Sequence, residues 1–225
     1  MGIHSFLQTI SLGNNLSEEQ LDILVQSSRK KRYKSGQLIF CEKDESRCFF
    51  VVMSGTVKLY KSSPDGKEQT LYLLGPGELF GMCAAFSDSV FSANAMALEE
   101  STIIVFPGDV LDIMARKDPT ILFNMISILS CRLKESMALI EALSLMETPQ
   151  RVASFLLFSI LKKDCRAGDD MEITISRREM SKIIGTAPET LSRVLKMMVS
   201  EKIISIQGRN IRILDCEELE GMARG

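Results

Sequence analysis

Glu189, Ser192 and Arg193 stand at i, i+3 and i+4. In a helix that spacing puts all three on one face, away from an apolar stripe of Leu191, Val194, Leu195 and Met198. Their chemistry suits the edges of nucleic-acid bases. The Arg193 guanidinium can donate two hydrogen bonds to guanine O6 and N7, the Glu189 carboxylate can accept from a cytosine amino group, and the Ser192 hydroxyl adapts to either role. Around them lie Arg177, Arg178, Lys182, Lys196 and Arg209, cations that would neutralise backbone phosphates and so position rather than specify. The competing reading makes Glu189 and Arg193 a surface ion pair at i,i+4.

The elements that must hold these residues are legible around them. Ser176-Arg177-Arg178-Glu179 has capping-box spacing and opens a short helix with Met180, Ile183 and Ile184 inward. Gly185 stops it, as a left-handed turn residue. The next helix opens either with Thr186 as cap and Glu189 three residues on, or with Ala187 as cap and Pro188 at the first helical position. Two short helices across a glycine turn predict a helix-turn-helix. Ile203–Ile206 and Ile211–Ile213, joined across Gln207–Asn210, predict a β-hairpin wing beside it.

Charge supports the division. Eight basic and three acidic side chains fall between Ser176 and Leu214, a local excess of five in a chain whose net charge is −2. That asymmetry is the footprint of a nucleic-acid-binding module attached to an acidic domain. Hydrophobic residues make up 45% of the 225, enough for packed cores. No apolar run approaches the ~20 residues of a membrane span and no targeting segment is evident, so a cytoplasmic protein without membrane attachment is expected. The only histidine, His4, lies in a terminus expected to be mobile. That argues against His-rich metal enzymes, including one on a cupin-like roll, and against Ser/His/Asp or Cys/His nucleophile arrangements. No enzyme is expected. Of the six cysteines none forms a C-x-x-C pair, and most are expected to be small buried hydrophobes.

Upstream, Ser17-Glu18-Glu19-Gln20 fits a capping box before Leu21, Leu24 and Val25. From Gln37 to Pro107 short β-branched and aromatic runs alternate with turn signals. The predicted strands are Gln37–Cys41, Cys48–Met53, Thr56–Lys61, Gln69–Leu74, Ala93–Leu98 and Thr102–Phe106, a small antiparallel barrel or roll. A helix is predicted over Asp109–Arg116, and a long one from Asp118-Pro119. Leu122, Ile126, Leu129, Leu133, Ser136, Ile140 and Leu143 follow a 4-3 alternation on the long helix, a heptad seam with one polar layer at Ser136. Such a seam predicts a symmetric dimer. Another helix starts at Thr148-Pro149 and runs to about Lys163, ahead of a polar loop over Lys162–Asp170.

Ser176-Arg177-Arg178-Glu179-Met180, through Gly185, to Glu189-Thr190-Leu191-Ser192-Arg193-Val194-Leu195-Lys196 resembles the helix-turn-helix of the catabolite activator protein/fumarate-nitrate regulator (CRP/FNR) family. Phe49-Phe50-Val51-Val52-Met53-Ser54-Gly55-Thr56-Val57-Lys58 and Gly75-Pro76-Gly77-Glu78-Leu79-Phe80-Gly81 are similar to its cyclic-nucleotide-binding-like domain. The resemblance covers nearly the whole chain, in order. It implies an α+β protein: an N-terminal cyclic-nucleotide-binding-like β-roll (jelly-roll) sensor over 1–117, a dimerisation helix over 118–146 and a winged helix-turn-helix over 147–225. It implies a homodimer on palindromic double-stranded DNA, and RNA polymerase as a further partner, with activation or repression left open. Glu189-x-x-Ser192-Arg193 matches the fumarate-nitrate form of the recognition helix better than the catabolite activator form, which has Arg where this chain has Pro188. TTGA-type half-sites are therefore expected. The alternative function is a ligand-binding module whose C-terminal domain contacts protein rather than DNA.

The resemblance places the effector pocket at Gly81, Met82, Cys83, Phe91, Ser92, Ser136 and Met137. In cAMP-binding members a Glu follows the glycine and contacts the ribose, and an Arg-Ser pair grips the cyclic phosphate. Here the stretches read Gly81-Met82-Cys83 and Phe91-Ser92, so carboxylate and guanidinium are both missing. A buried phosphate without them loses its charge-assisted bonds, and no cAMP response is expected. Oxygen-sensing members hold an iron–sulfur cluster on a run of N-terminal cysteines. None precedes Cys41 here, so no cluster is expected. The apolar pocket leaves three readings: side chains filling a core, haem, or another small ligand. His4, Met82 and Cys83 are conceivable iron ligands without a spacing motif, and cysteine redox sensing stays open.

Overall fold

The computed structural model describes residues 1–87, 89–162, 170–172, 176–208 and 210–224. The chain divides into two compact units, Met1–Ser136 and Met137–Gly225.

The first unit opens with α1 (Ile3–Leu7) and α2 (Glu18–Ser27). α2 begins where its capping box requires: Ser17 Oγ accepts from the Gln20 N–H, and Gln20 Oε1 accepts from the Ser17 N–H at 2.9 Å. Then come β1 (Arg29–Tyr33), β2 (Leu38–Phe40), β3 (Cys48–Ser54), β4 (Val57–Ser62), β5 (Glu68–Leu74), β6 (Leu79–Phe80), α3 (Met82–Phe86), β7 (Asn94–Ala97), β8 (Ser101–Pro107) and α4 (Asp109–Ala115). The strands form two four-stranded antiparallel sheets, ordered β1-β8-β3-β6 and β2-β7-β4-β5. Together they make the roll.

Side-chain alternation in β3 and β8 shows how one strand serves two cores. Phe50, Val52 and Ile103 point between the sheets, where they pack with Phe40, Val57, Leu74, Phe80, Phe91 and Ala95. Phe49, Val51, Ile104 and Phe106 point the other way, into a layer with Leu7, Leu21, Leu24, Leu111 and Met114 from α1, α2 and α4. Both faces of β3 are therefore buried, which is why its sequence is a continuous apolar run rather than an alternating one.

Helix α5 (Thr120–Leu145) starts in the first unit and ends in the second. Asp118 Oδ1 accepts from the Thr120 N–H at 2.9 Å and from Thr120 Oγ1 at 2.7 Å. Those bonds hold the Asp118 carboxyl below its ordinary range. Ile121 and Met125 are buried on the roll side. Leu122, Ile126, Leu129, Leu133, Ile140 and Leu143 are all exposed, as are Phe123 and Met137.

The second unit holds α6 (Thr148–Lys162), β9 (Asp170–Glu172), α7 (Arg177–Ile184), α8 (Pro188–Ser200), β10 (Ile204–Gln207), β11 (Asn210–Ile213) and α9 (Cys216–Arg224). The strands make an antiparallel sheet ordered β10-β11-β9. Its core gathers Val152 and Leu156 of α6, Met180 and Ile184 of α7, the α8 stripe, Ile204, Ile211, Ile213 and Leu219. Among the described residues no helix is long and apolar enough to cross a membrane.

Two expectations change. His4 lies in α1 rather than in a mobile end, its Nε2 3.0 Å from Glu18 Oε2 across to α2. None of the five described cysteines is fully buried: Cys41, Cys48 and Cys216 are half-buried, while Cys83 and Cys131 are exposed. Cys48 packs on the margin of the inter-sheet core and Cys216 on that of the second unit's core, while Cys83 and Cys131 lie on helix surfaces. Cys165 lies outside the described residues.

Candidate nucleic-acid interface

α7 is capped by Ser176, whose Oγ accepts from the Glu179 N–H at 3.1 Å. It ends at Gly185 with φ 69° and ψ 45°, a left-handed conformation that carries little cost only for glycine. The Thr186 N–H then reaches back to the Ser181 carbonyl at 3.0 Å, the six-to-one bond of a Schellman turn. The second helix begins with Ala187 as cap, without a side-chain cap bond, and Pro188 in its first turn. Of the two expected starts, the proline one is realised. Proline's fixed φ suits the first turn and its missing N–H would have been unsatisfied there.

α8 buries Leu191, Val194, Leu195 and Met198. This fixes its rotation about its own axis, and with it the opposite face. There Glu189 and Arg193 are exposed and Ser192 is half-buried, so the structure brings the three together as one outward row. Glu189 and Arg193 join no ion pair among the described residues. The i,i+4 pairing that would have explained them as surface decoration is absent there, and both charges stay available to an outside partner.

The expected phosphate ligands separate into kinds. Arg177, Arg178 and Lys196 are exposed. Lys182 Nζ instead lies 2.8 Å from Glu179 Oε1, with both side chains about 20% exposed. A phosphate approaching Lys182 must compete with that carboxylate. Arg209 lies outside the described residues; the wing strands that flank it pair from Ile204↔Ile213 to Gln207↔Asn210.

The residues assigned to an effector pocket do not form one cluster. Met82 is buried in the layer between roll and helices, whereas Phe91 stacks on Phe40 between the two sheets with ring centroids 3.6 Å apart. Gly81 has φ 77°, and a Cβ there would meet the Phe50 ring at 2.8 Å. Cys83 and Ser92 are exposed. Met137 is exposed and falls in the second unit. Ser136, expected as the polar layer of the seam, has its hydroxyl engaged by Tyr72 of β5. Tyr72, Arg132 and Glu78 were not singled out from the sequence as a group. Their link spans 54 to 64 residues of chain, and no local pattern marks it. Among the described residues no three His, Cys, Asp or Glu side chains gather as a metal site would need.

Residues 30–118 match the cyclic nucleotide-binding domain model, and residues 150–222 match the Crp-like helix-turn-helix domain model. The cyclic AMP receptor protein of Thermus thermophilus is 32% identical over 215 residues, covering 95% of this chain and 97% of that protein. The fumarate and nitrate reduction regulatory protein of Vibrio cholerae is 31% identical over 212 residues, covering 92% and 84%. The structure of FixK2 from Bradyrhizobium japonicum superposes with a TM-score of 0.78 at 22% identity, over 87% of this chain and 96% of that one. Two family models and two relatives more than 30% identical thus cover nearly all of the chain, which belongs to the CRP/FNR family of DNA-binding transcription regulators.

Proposed function

We propose that the chain acts as a homodimer on palindromic operators with TTGA-type half-sites, under an effector other than cAMP acting through the roll. The observation that carries the reading is the outward row of Glu189, Ser192 and Arg193, held by a buried stripe and free of ion pairs among the described residues. In a helix-turn-helix the N-terminal part of the second helix meets base edges. In this reading residues 1–117 are the sensor, 118–146 the dimerisation helix and 147–225 the DNA-binding domain. Arg177, Arg178, Lys182, Lys196 and Arg209 hold phosphates. RNA polymerase, the partner that family membership implies, completes the picture.

The residues at the roll's expected site do not suit cAMP. Met82 is buried among apolar side chains and Phe91 is stacked on Phe40. Neither supplies the carboxylate or the cation that a ribose and a cyclic phosphate need. Haem, thiol oxidation and another small ligand are the remaining inputs within the proposal.

The test is a gel shift of the full chain with a TTGA-type palindrome and a scrambled duplex. Strong preference for the palindrome, unchanged by cAMP, is expected. Equal affinity for both duplexes refutes the operator assignment, and a preference that appears only with cAMP refutes the effector assignment.

Salt dependence separates the cations. Each lost phosphate contact lowers the log–log slope by about 0.9, so Arg178→Ala, present twice in a dimer, should flatten it by about 2. Lys182→Ala should change it less, because Glu179 already neutralises that lysine. Fluorescence anisotropy from low to moderate salt reads both. Equal slope changes would mean that DNA displaces the Glu179 pair.

A further inference from the structure

Tyr72, on β5, packs its ring against the core between the sheets. Its hydroxyl leaves that core and meets α5. The Tyr72 hydroxyl and Ser136 Oγ share a hydrogen bond, with the Arg132 carbonyl an acceptor for the Tyr72 O–H at 3.3 Å. Ser136 in turn donates to the Arg132 carbonyl at 2.9 Å, so both hydroxyl protons have acceptors. One turn earlier the Arg132 guanidinium lies over the Tyr72 ring, its Cζ 5.0 Å from the centroid. It bridges two carboxylates: Glu78 Oε1 at 3.1 Å and Glu135 Oε2 at 2.7 Å. Glu78 is itself fixed, its other oxygen accepting from the Gly75 N–H at 2.7 Å in the turn before β6.

The Arg132 side chain is 15% exposed and its two acidic partners under 30%. Such partial burial weakens solvent screening relative to an open surface pair. Two links that share Arg132 therefore join consecutive turns of α5 to β5 and to the β5–β6 turn. All of these groups lie within the first unit. Ser136, which the resemblance assigns to the effector pocket, already has its hydroxyl satisfied by a residue of the roll.

We propose that Tyr72 is a built-in occupant of the roll, which latches α5 through Ser136 with Arg132 and Glu78 in support, and that this latch supports operator binding in the absence of any small molecule. A helix ordered before DNA arrives leaves less conformational freedom to lose on binding. The latch deepens the reading of the roll as the controlling domain: an effector acting at Ser136 has to displace the phenol. The operator part rests on the proposed function; the latch itself does not.

Hydrogen exchange of the full-length, DNA-free protein tests the latch, with Tyr72→Phe, Ser136→Ala and the double variant. Phenylalanine keeps the ring in the core and removes only the hydroxyl, and circular dichroism checks that the fold is kept. Losing one hydrogen bond should speed exchange of residues 128–137 about 5-fold in either single variant. The double variant should exchange more slowly than the product of the two single effects predicts, since both singles remove the shared Tyr72–Ser136 bond and differ only in their separate bonds to the Arg132 carbonyl. Operator affinity of Tyr72→Phe, measured without ligand, should fall by about 5-fold. Unchanged exchange in both singles, or effects that multiply in the double variant, overturns the latch. Altered exchange with wild-type operator affinity in Tyr72→Phe overturns its role in binding. If the wild-type chain shows no operator preference while the exchange coupling holds, the latch stands and the operator reading falls.

Discussion

Arg193→Ala should leave a protein that still binds DNA but no longer tells a TTGA-type palindrome from a scrambled duplex. A bidentate arginine–guanine contact contributes about 1–3 kcal/mol of discrimination against a wrong base. A dimer would make it twice, so the specific-to-scrambled affinity ratio should fall between about 30-fold and about 20,000-fold. The loss should concentrate in the specific complex, since phosphate contacts supply most of the non-specific affinity. Arg193→Lys sharpens the test. It keeps the charge but not the planar fork, so non-specific binding and the salt slope should stay near wild type while discrimination still drops. The buried stripe of α8 is untouched in both variants, because Arg193 is exposed on the far side from Leu191 and Leu195. Competition binding with the two duplexes gives the ratio directly. A ratio unchanged in both variants would remove Arg193 from base readout and leave Glu189 and Ser192 without their central partner.

Local signals carried much of this into view before the structure did. α7 and α8 are punctuated by their own residues: Ser176 as cap, Gly185 as left-handed stop, Pro188 at the start. Each acts within a few residues, so sequence displays it. β3, β4, β5, β7 and β8 lie within one or two residues of expectation, because turns such as Ser54-Gly55 and Gly75-Pro76-Gly77 bound them. β1 was illegible for the opposite reason. Arg29-Lys30-Lys31-Arg32 has no apolar face to detect, since the strand sits at a sheet edge and pairs only with β8. Charges there discourage pairing with another chain. β6 and α3 are too short for any periodicity. The candidate DNA face is legible because one helix holds it. The Tyr72–Ser136 link is not, because a hydroxyl's partner 64 residues away is decided by packing. Ser136 stands out in the seam as a polar position, but no neighbouring residue names the tyrosine that meets it.

Ile126→Glu combined with Leu133→Glu should convert the proposed dimer into a folded monomer, and this is the largest effect expected. In the single chain Ile126 is 58% and Leu133 63% exposed, with Met137 and Ile140 alongside. A stripe of that kind on a 26-residue helix leaves apolar area in water that a second copy would cover. Burying one such side chain contributes about 2 kcal/mol. The double variant forfeits four per dimer, about 8 kcal/mol, before any cost of bringing carboxylates together. That corresponds to a loss of more than about 100,000-fold in dimer affinity. Both positions are solvent-exposed in the isolated chain, so its own cores lose nothing, and circular dichroism and the unfolding midpoint should stay close to wild type. Sedimentation equilibrium should then report a monomer. Operator affinity should fall towards that for a single half-site, because the second recognition helix no longer arrives with the first. Ala138→Glu is the control: also exposed, it projects from another side of α5 by the 100° rotation per residue, and should leave the dimer intact. Should the double variant remain dimeric at low concentration, the seam does not form the subunit contact, and the spacing of two recognition helices has to be set by another surface.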